Sequence, residues 1–307
     1  MIGRLKGLDW RFWPLLLACA ALGLSLAHPT LPMKKAVQRY IFVIDITQSM
    51  NARDYHLEHL PPDRLGFVKA AIGRVLHDLP CGSEIGLGLF TTRNTQLLFE
   101  PLEICEHFAI VDDVLAHIDW RMAWSADSYI AQGLFTGLRE IAQRDATIRL
   151  AFFTDGQRFP PGAERPYFQG KPGEVRGLIV GVGGITPVPI PRLDRENRPQ
   201  GFWEYADLQD FLPPPESTGT RVQASNYYLA RLDEQALREL ASLTGLRYHR
   251  LVSPADLSAA LRSPDLAEER WVTADARWIL ALLALALLLS TYLAGFRKIV
   301  NPRRPSE

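Results

Sequence analysis

The sequence predicts an open α/β sheet, mostly parallel, with helices on both faces and one antiparallel strand at its edge. Three observations predict it. Short runs of β-branched and aromatic residues alternate along the middle of the chain with stretches whose apolar residues recur at helical spacing. Runs such as YIFVIDI at 40–46 and IRLAFFT at 148–154 are apolar without alternation, as strands covered on both faces must be. Two further runs, EIGLGLFT at 84–91 and QLLFE at 96–100, are separated only by residues 92–95, which is a hairpin distance.

In order, the first strand is expected over 38–46. Pro61-Pro62-Asp63 then opens a helix that runs to about Leu79, with Leu65, Val68, Ala71, Ile72, Val75 and Leu76 on one stripe and Pro80 and Gly82 ending it. The hairpin of 84–91 and 96–100 follows, then helices over 107–118 and 129–143, the second carrying Ile130, Leu134, Leu138 and Ile141. Strands at 148–154 and 175–182, a helix at 233–243 capped by Gly245, a last strand at 247–251 and a short helix at 254–262 complete the alternation. Residues 184–215, rich in Pro and Arg, read as an irregular excursion from the domain.

The 307 residues carry a formal net charge of zero, so no global basic field points to nucleic acid as a partner. With 47% hydrophobic and 22% charged residues, the composition suits a globular body with membrane segments. Two apolar runs supply those segments. The first, 12–27, follows Arg4, Lys6 and Arg11 and reads either as an uncleaved anchor or as a signal peptide with a cleavage site at Ser25-Leu26-Ala27. The second, 278–296, is uncharged and reads as a transmembrane helix; Arg297, Lys298, Arg303 and Arg304 after it place the C-terminus in the cytoplasm. Two spans put both termini in the cytoplasm and the domain on the other side of the membrane; the resemblance given below implies a bacterial inner membrane and a periplasmic domain. In that oxidising compartment Cys81 and Cys105, just before the second strand and just after the third, are a disulfide candidate; two buried thiols are the alternative.

In a sheet of this kind ligands bind beyond the carboxyl ends of the strands, where strand order reverses. Three segments should meet there: Asp45-Ile-Thr47-Gln-Ser49, Ser128 in SADSYIAQGL, and Asp155 in FFTDGQ. Each is weak alone, as a polar turn or a helix cap. Together they supply two carboxylates and three hydroxyls, an oxygen set suited to a hard octahedral cation such as Mg2+, with Ca2+ or Mn2+ as substitutes. With few direct carboxylates the ion would seek one more anionic oxygen. Trp120 and Trp124, flanking the approach to Ser128, are candidates for a partner-binding rim or for core packing.

These residues resemble the metal-ion-dependent adhesion site of von Willebrand factor A domains, whose pattern is Asp-x-Ser-x-Ser, a distant Thr and a distant Asp before Gly. Here Thr47 replaces the first Ser and Ser128 the Thr, and both exchanges keep the hydroxyl. The resemblance covers about residues 36–262. It implies a doubly wound, Rossmann-like A-domain fold and a cation held by Asp45, Thr47, Ser49, Ser128 and Asp155. It also implies a protein partner that offers a Glu or Asp carboxylate to the ion, and no catalysis. Among A-domain proteins the chain is similar to membrane-anchored bacterial aerotolerance (BatA-like) proteins. It is also similar to MxaL-type accessory proteins of methanol dehydrogenase, through Leu79-Pro-Cys-Gly82, residues 189–194, and Leu232 to Gly245 with Arg247-Tyr248. That likeness implies assembly or maturation of a periplasmic enzyme, with metal insertion as its sharpest form, and other A-domain or assembly-complex membrane proteins as partners.

The expected organisation is therefore an anchor at 1–35, the A domain at 36–265 with an insertion at 184–228, a linker at 266–277, a span at 278–296 and a basic tail at 297–307. Two rival functions stand beside it. One is a membrane scaffold with an empty site. The other is a haloacid-dehalogenase-like phosphotransferase forming an aspartyl phosphate on Asp45, which would want a second Asp where this chain has Thr47.

Overall fold

A computed structural model describes residues 12–160, 165–208 and 226–300, with side chains described as far as 293. The chain divides into two units, residues 36–270 and a second formed by 1–35 with 271–307.

The larger unit is built on six strands: β2 (Arg39–Asp45), β3 (Glu84–Thr91), β4 (Asn94–Glu103), β5 (Arg149–Thr154), β6 (Gly177–Gly181) and β11 (Arg247–Arg250). Their order is β11-β6-β5-β2-β3-β4, and all but the edge strand β4 run parallel. From β2 the chain passes to β3 on one side and reaches β5 on the other, so strand order reverses at β2. Alternate residues of β2 feed two cores. Tyr40, Phe42 and Ile44 join helices α2 (Arg64–Asp78), α3 (Ile104–His117) and α7 (Pro254–Leu261) on one face. Ile41 and Val43 join α4 (Ile130–Arg144) and α6 (Glu234–Thr244) on the other. This is the period-two logic of a strand with no solvent face.

Helix α2 starts where Asp63 caps it, its carboxylate accepting from Gly66 N at 2.7 Å. All six residues of the predicted stripe are buried, and so are Phe67 and Arg64. Helix α4 comes against β3 at Gly133, where a Cβ would lie 2.1 Å from the Phe90 ring. Only glycine permits that approach, and the approach sets where the start of α4 lies relative to the end of β3.

The hairpin turns more tightly than predicted. Thr91 pairs with Asn94, not with residue 96, leaving a two-residue connection. Two register shifts between Ile85 and Gly88 then recover the difference, so Glu84 pairs with Glu103. Cys81 and Cys105 therefore end within reach, and they form a disulfide with Cα atoms 5.3 Å apart. The closed loop of about 25 residues is worth about 3 kcal/mol in the chain-entropy model. The Cys81→Ser/Cys105→Ser variant should accordingly unfold at lower urea concentration than the oxidised protein. Equal midpoints would show that the bridge adds nothing to stability.

The excursion after β6 is less irregular than expected. Strand β7 (Val188–Pro189) pairs with β10 (Leu229–Ala230), and β8 (Pro191–Leu193) pairs with β9 (Pro199–Phe202) ahead of a short helix, α5 (Tyr205–Leu208).

In the smaller unit, helix α1 (Phe12–Ser25) packs against α8 (Arg277–Val300) around Ala18, Ala21, Ala284 and Leu287. Strand β1 (Thr30–Val37) pairs with β12 (Glu268–Asp275). The pairing corrects two expectations, that residues from 30 would extend the anchor and that 266–277 would be a linker. Both segments were read from composition, and a two-stranded pairing between distant segments leaves no local signal. Among the described residues no helix is long and apolar enough to cross a membrane. The expected span at 278–296 coincides with α8, but its last residues lie beyond the described side chains, and α1 has 14 residues. The charges on which the predicted topology rests, Arg4, Lys6, Arg11, Arg297, Lys298, Arg303 and Arg304, lie outside the described residues or side chains.

Candidate metal centre

The reversal of strand order brings the carboxyl ends of β2 and β5 side by side, with Ile44 in register with Phe153. β2 ends on Asp45 and β5 is followed at once by Asp155, and both aspartates are fully buried. Asp45 accepts from Thr47 N at 2.9 Å and Thr47 Oγ1 at 2.7 Å on one oxygen, and from Thr154 Oγ1 at 2.6 Å on the other. The Ser49 hydroxyl lies 3.4 Å from Thr47 Oγ1, and Ser49 opposes the upward shift of Asp155. Asp155 accepts from Gln157 N at 2.9 Å. Four of the five predicted residues thus form one connected cluster.

Ser128 completes it from the turn before α4. Its N–H donates to Phe159 O at 2.7 Å and its carbonyl accepts from Phe159 N at 3.0 Å, while Tyr129 N donates to Thr92 O at 2.7 Å. So clamped, Ser128 lines the same small pocket as Thr47 and Ser49. Its hydroxyl oxygen is buried and has no hydrogen-bond partner. An orphaned buried hydroxyl is costly, and a cation ligated by all three hydroxyls would satisfy it. By donor chemistry and by this orphan, the residues present fit a hard cation.

Burial, and then the charge of Asp155, push the Asp45 carboxyl up to about 7, against the donations of Thr154 and Thr47. Burial raises Asp155 too, but the Arg64 guanidinium opposes it. Arg64 is completely buried and its Nη1 stands 2.8 Å from Asp155. Its Nη2 lies 2.6 Å from Asp54, and its Nε is shared between both Asp54 oxygens at 3.1 Å. Asp54 in turn accepts from Gly184 N at 2.7 Å. Gly183 has φ +97°, and a Cβ there would lie 2.4 Å from Arg64 Nε. Glycine at the end of β6 is what lets the guanidinium in. Desolvation works against the Arg64 charge, but its two carboxylate partners outweigh it and hold its pKa above the ordinary value.

Arg64, Asp54 and Thr154 were not predicted. Arg64 had a signal: it falls on the apolar stripe of its helix with Val68, Ala71 and Val75, and a charge on a buried stripe needs a partner. Of the two readings given for Trp120 and Trp124, core packing holds for Trp120. Trp120 is half-buried against the core and donates to Asn197 Oδ1 at 2.6 Å. Trp124 is 65% exposed, and neither lines the pocket at the hydroxyls. The pocket walls are Phe159, Ile190, Trp203, Tyr227 and Tyr228. His56 and His59 are exposed in a loop. Among the described residues, the one group of His, Cys, Asp and Glu close enough to share an ion is Cys81, Glu103 and Cys105, and its two sulfurs are consumed by the disulfide.

Residues 40–157, which run from β2 through the turn after Asp155, match the von Willebrand factor type A domain family. Over that segment the chain is similar to von Willebrand factor type A domains. Among solved structures, the A domain is similar to an aerotolerance-related membrane protein from Bacteroides fragilis, at 16% identity and a TM-score of 0.47, covering 72% of this chain and 95% of that one. It is likewise similar to the conserved hypothetical protein BatB from Bacteroides thetaiotaomicron, at 17% identity and a TM-score of 0.47, covering 74% and 96%. An uncharacterised membrane-spanning protein from Vibrio fischeri is similar at 16% identity and a TM-score of 0.28, covering 73% and 96%. No curated protein matches the chain. The A-domain assignment rests on the family match.

Proposed function

We propose that the A domain is a cation-dependent protein-interaction module and not an enzyme. In this reading Thr47, Ser49 and Ser128 bind a divalent cation, Mg2+ for preference, through their hydroxyls, and Asp45 and Asp155 balance its charge. The ion keeps a position for a carboxylate from a partner protein. The observation that carries this reading is the buried Ser128 hydroxyl, which lacks a hydrogen-bond partner and faces the pocket it shares with Thr47 and Ser49. Asp45 is a poor nucleophile for phosphoryl transfer, since both its oxygens accept hydrogen bonds and it has no solvent exposure.

The reading extends to the setting. The apolar helices α1 and α8 pack through small residues and turn leucines outward, which suits a bilayer. The disulfide suits a periplasmic domain. We extend the proposal to a role in assembly or maturation of a periplasmic enzyme, methanol dehydrogenase being the sharpest case.

Calorimetric titration of the full chain in detergent with Mg2+ tests the centre. Heat and a raised thermal midpoint are expected for the wild type, since a ligand of the native state stabilises it. Ser128→Ala should weaken binding about tenfold or more. Absence of both heat and shift in the wild type would favour a scaffold with an empty site, and Asp45-dependent phosphatase turnover would favour the phosphotransferase.

A further inference from the structure

The hydroxyls of the centre are also the floor of a pocket of about 170 Å3. Thr47, Ser49 and Ser128 lie at its base. Its walls are mostly apolar or aromatic: Ile190 and Trp203 come from the β7–β9 excursion, Tyr227 and Tyr228 from the return to β10, and Phe159 from the segment after β5, where Gln157 and Arg158 also line it. These walls are braced from behind. Ile190 packs with Ala52, Ala230, Val188 and Trp203 in a small core of its own. Arg192 lies over the Trp203 ring at 5.2 Å. The pocket is therefore built, and its lining does not match the ion chemistry at its base.

Size decides what enters. Small-molecule sites enclose about 300–1,000 Å3, so this pocket takes a single side chain and not a whole ligand. Charge decides what accompanies that side chain. Past Gln157 and Tyr227 lies a cleft of about 630 Å3 that carries Arg158, Arg165 and Arg231. Its two acids offset part of that charge, Asp233 while capping α6 by accepting from Ala236 N and Glu239 by facing Arg165 at 3.5 Å, so three guanidinium groups against two carboxylates leave the cleft net positive. Tyr227, between the two hollows, feels the charges of Arg158 and Arg231. An acidic segment is steered toward this mouth.

We propose that the pocket receives a large apolar side chain adjacent in sequence to the acidic residue that reaches the cation. The partner is then recognised as an extended segment pairing an acid with an aliphatic or aromatic neighbour. This rests on the cation reading above and adds the specificity that a bare carboxylate–metal contact lacks. The cation selects the acid, and the excursion selects the neighbour.

The test uses the full chain in detergent with saturating Mg2+ and three fluorescein-labelled peptides: Gly-Ser-Glu-Leu-Ser-Gly, Gly-Ser-Glu-Ser-Ser-Gly and Gly-Ser-Gln-Leu-Ser-Gly. Fluorescence anisotropy should show the Glu-Leu peptide binding about tenfold tighter than the Glu-Ser peptide, as burial of one leucine side chain predicts. The Gln-Leu peptide should bind no better than in chelator. Tyr228→Ser, which opens a wall, and Ala126→Phe, which fills the pocket from an exposed rim position, should each abolish the leucine advantage while the Mg2+-induced thermal shift persists. Equal affinity for Glu-Leu and Glu-Ser, or no peptide binding at all, with the Mg2+ shift intact overturns the pocket assignment alone. Loss of the Mg2+ shift in the wild type overturns the cation reading and this inference with it.

Discussion

Replacing Arg64 with methionine is expected to lower the unfolding free energy by about 3–5 kcal/mol, the usual cost of removing one partner from a buried ion pair. The guanidinium has no solvent exposure and is the buried cation shared by Asp54 and Asp155. Methionine fills much of the same space, so the loss measures stranded charge more than a cavity. Urea denaturation gives the value. The triple variant Arg64→Met/Asp54→Asn/Asp155→Asn separates the two causes: removing the stranded carboxylates should recover part of the loss. If Arg64→Met unfolded at the wild-type midpoint, the buried triad would contribute nothing to the fold.

The second large effect is on pH dependence. Asp45 in the native chain keeps its proton up to about pH 7, whereas its ordinary value is 3.8. Between those values the native state binds more protons than the unfolded chain, so the metal-free protein loses stability as pH rises from about 4 to about 7. The loss is on the order of a few kcal/mol. Burial moves Asp155 in the same direction, and the two titrate as a pair. Asp145 behaves oppositely. Held near 2, first by the backbone and hydroxyl of Thr147 and then by Arg39, it stabilises above its ordinary value of 3.8 and loses that contribution as pH falls toward 2. Since a cation competes with the shared proton, the thermal shift produced by Mg2+ should grow over the same window, from about pH 4 to about pH 7. Melting curves with chelator and with Mg2+ across this range check both statements, and Asp45→Asn should flatten the chelator profile. A flat wild-type profile in chelator would place the Asp45 proton elsewhere.

Much of the fold was legible because its signals are local. The unalternating strands, the Pro-Pro-Asp start of α2 and the single antiparallel edge strand follow from runs and punctuation, and observed ends differ from predicted ones by a few residues. The hairpin turn is shorter than assumed, and two shifts inside the hairpin compensate, so the cysteine-bearing ends still meet. The β1–β12 pairing was invisible, since segments more than 200 residues apart meet through backbone hydrogen bonds that impose no sequence pattern. In the site, residues chosen for their oxygen chemistry did converge. Those that charge-balance and enclose them did not announce themselves. Arg64 reads as an ordinary helix-start residue until its stripe position is counted. The pocket walls lie in a Pro-rich stretch whose composition says only that it is irregular.

The pocket draws its two halves from different parts of the chain, the floor from strand ends and helix start, the walls largely from Ile190, Trp203, Leu208, Tyr227 and Tyr228. Evolution can therefore rewrite the excursion without disturbing the oxygen cluster, much as an antigen receptor varies its loops over a constant frame. Transplanting that stretch between homologues would re-address the domain to a new client while its ion chemistry stayed the same.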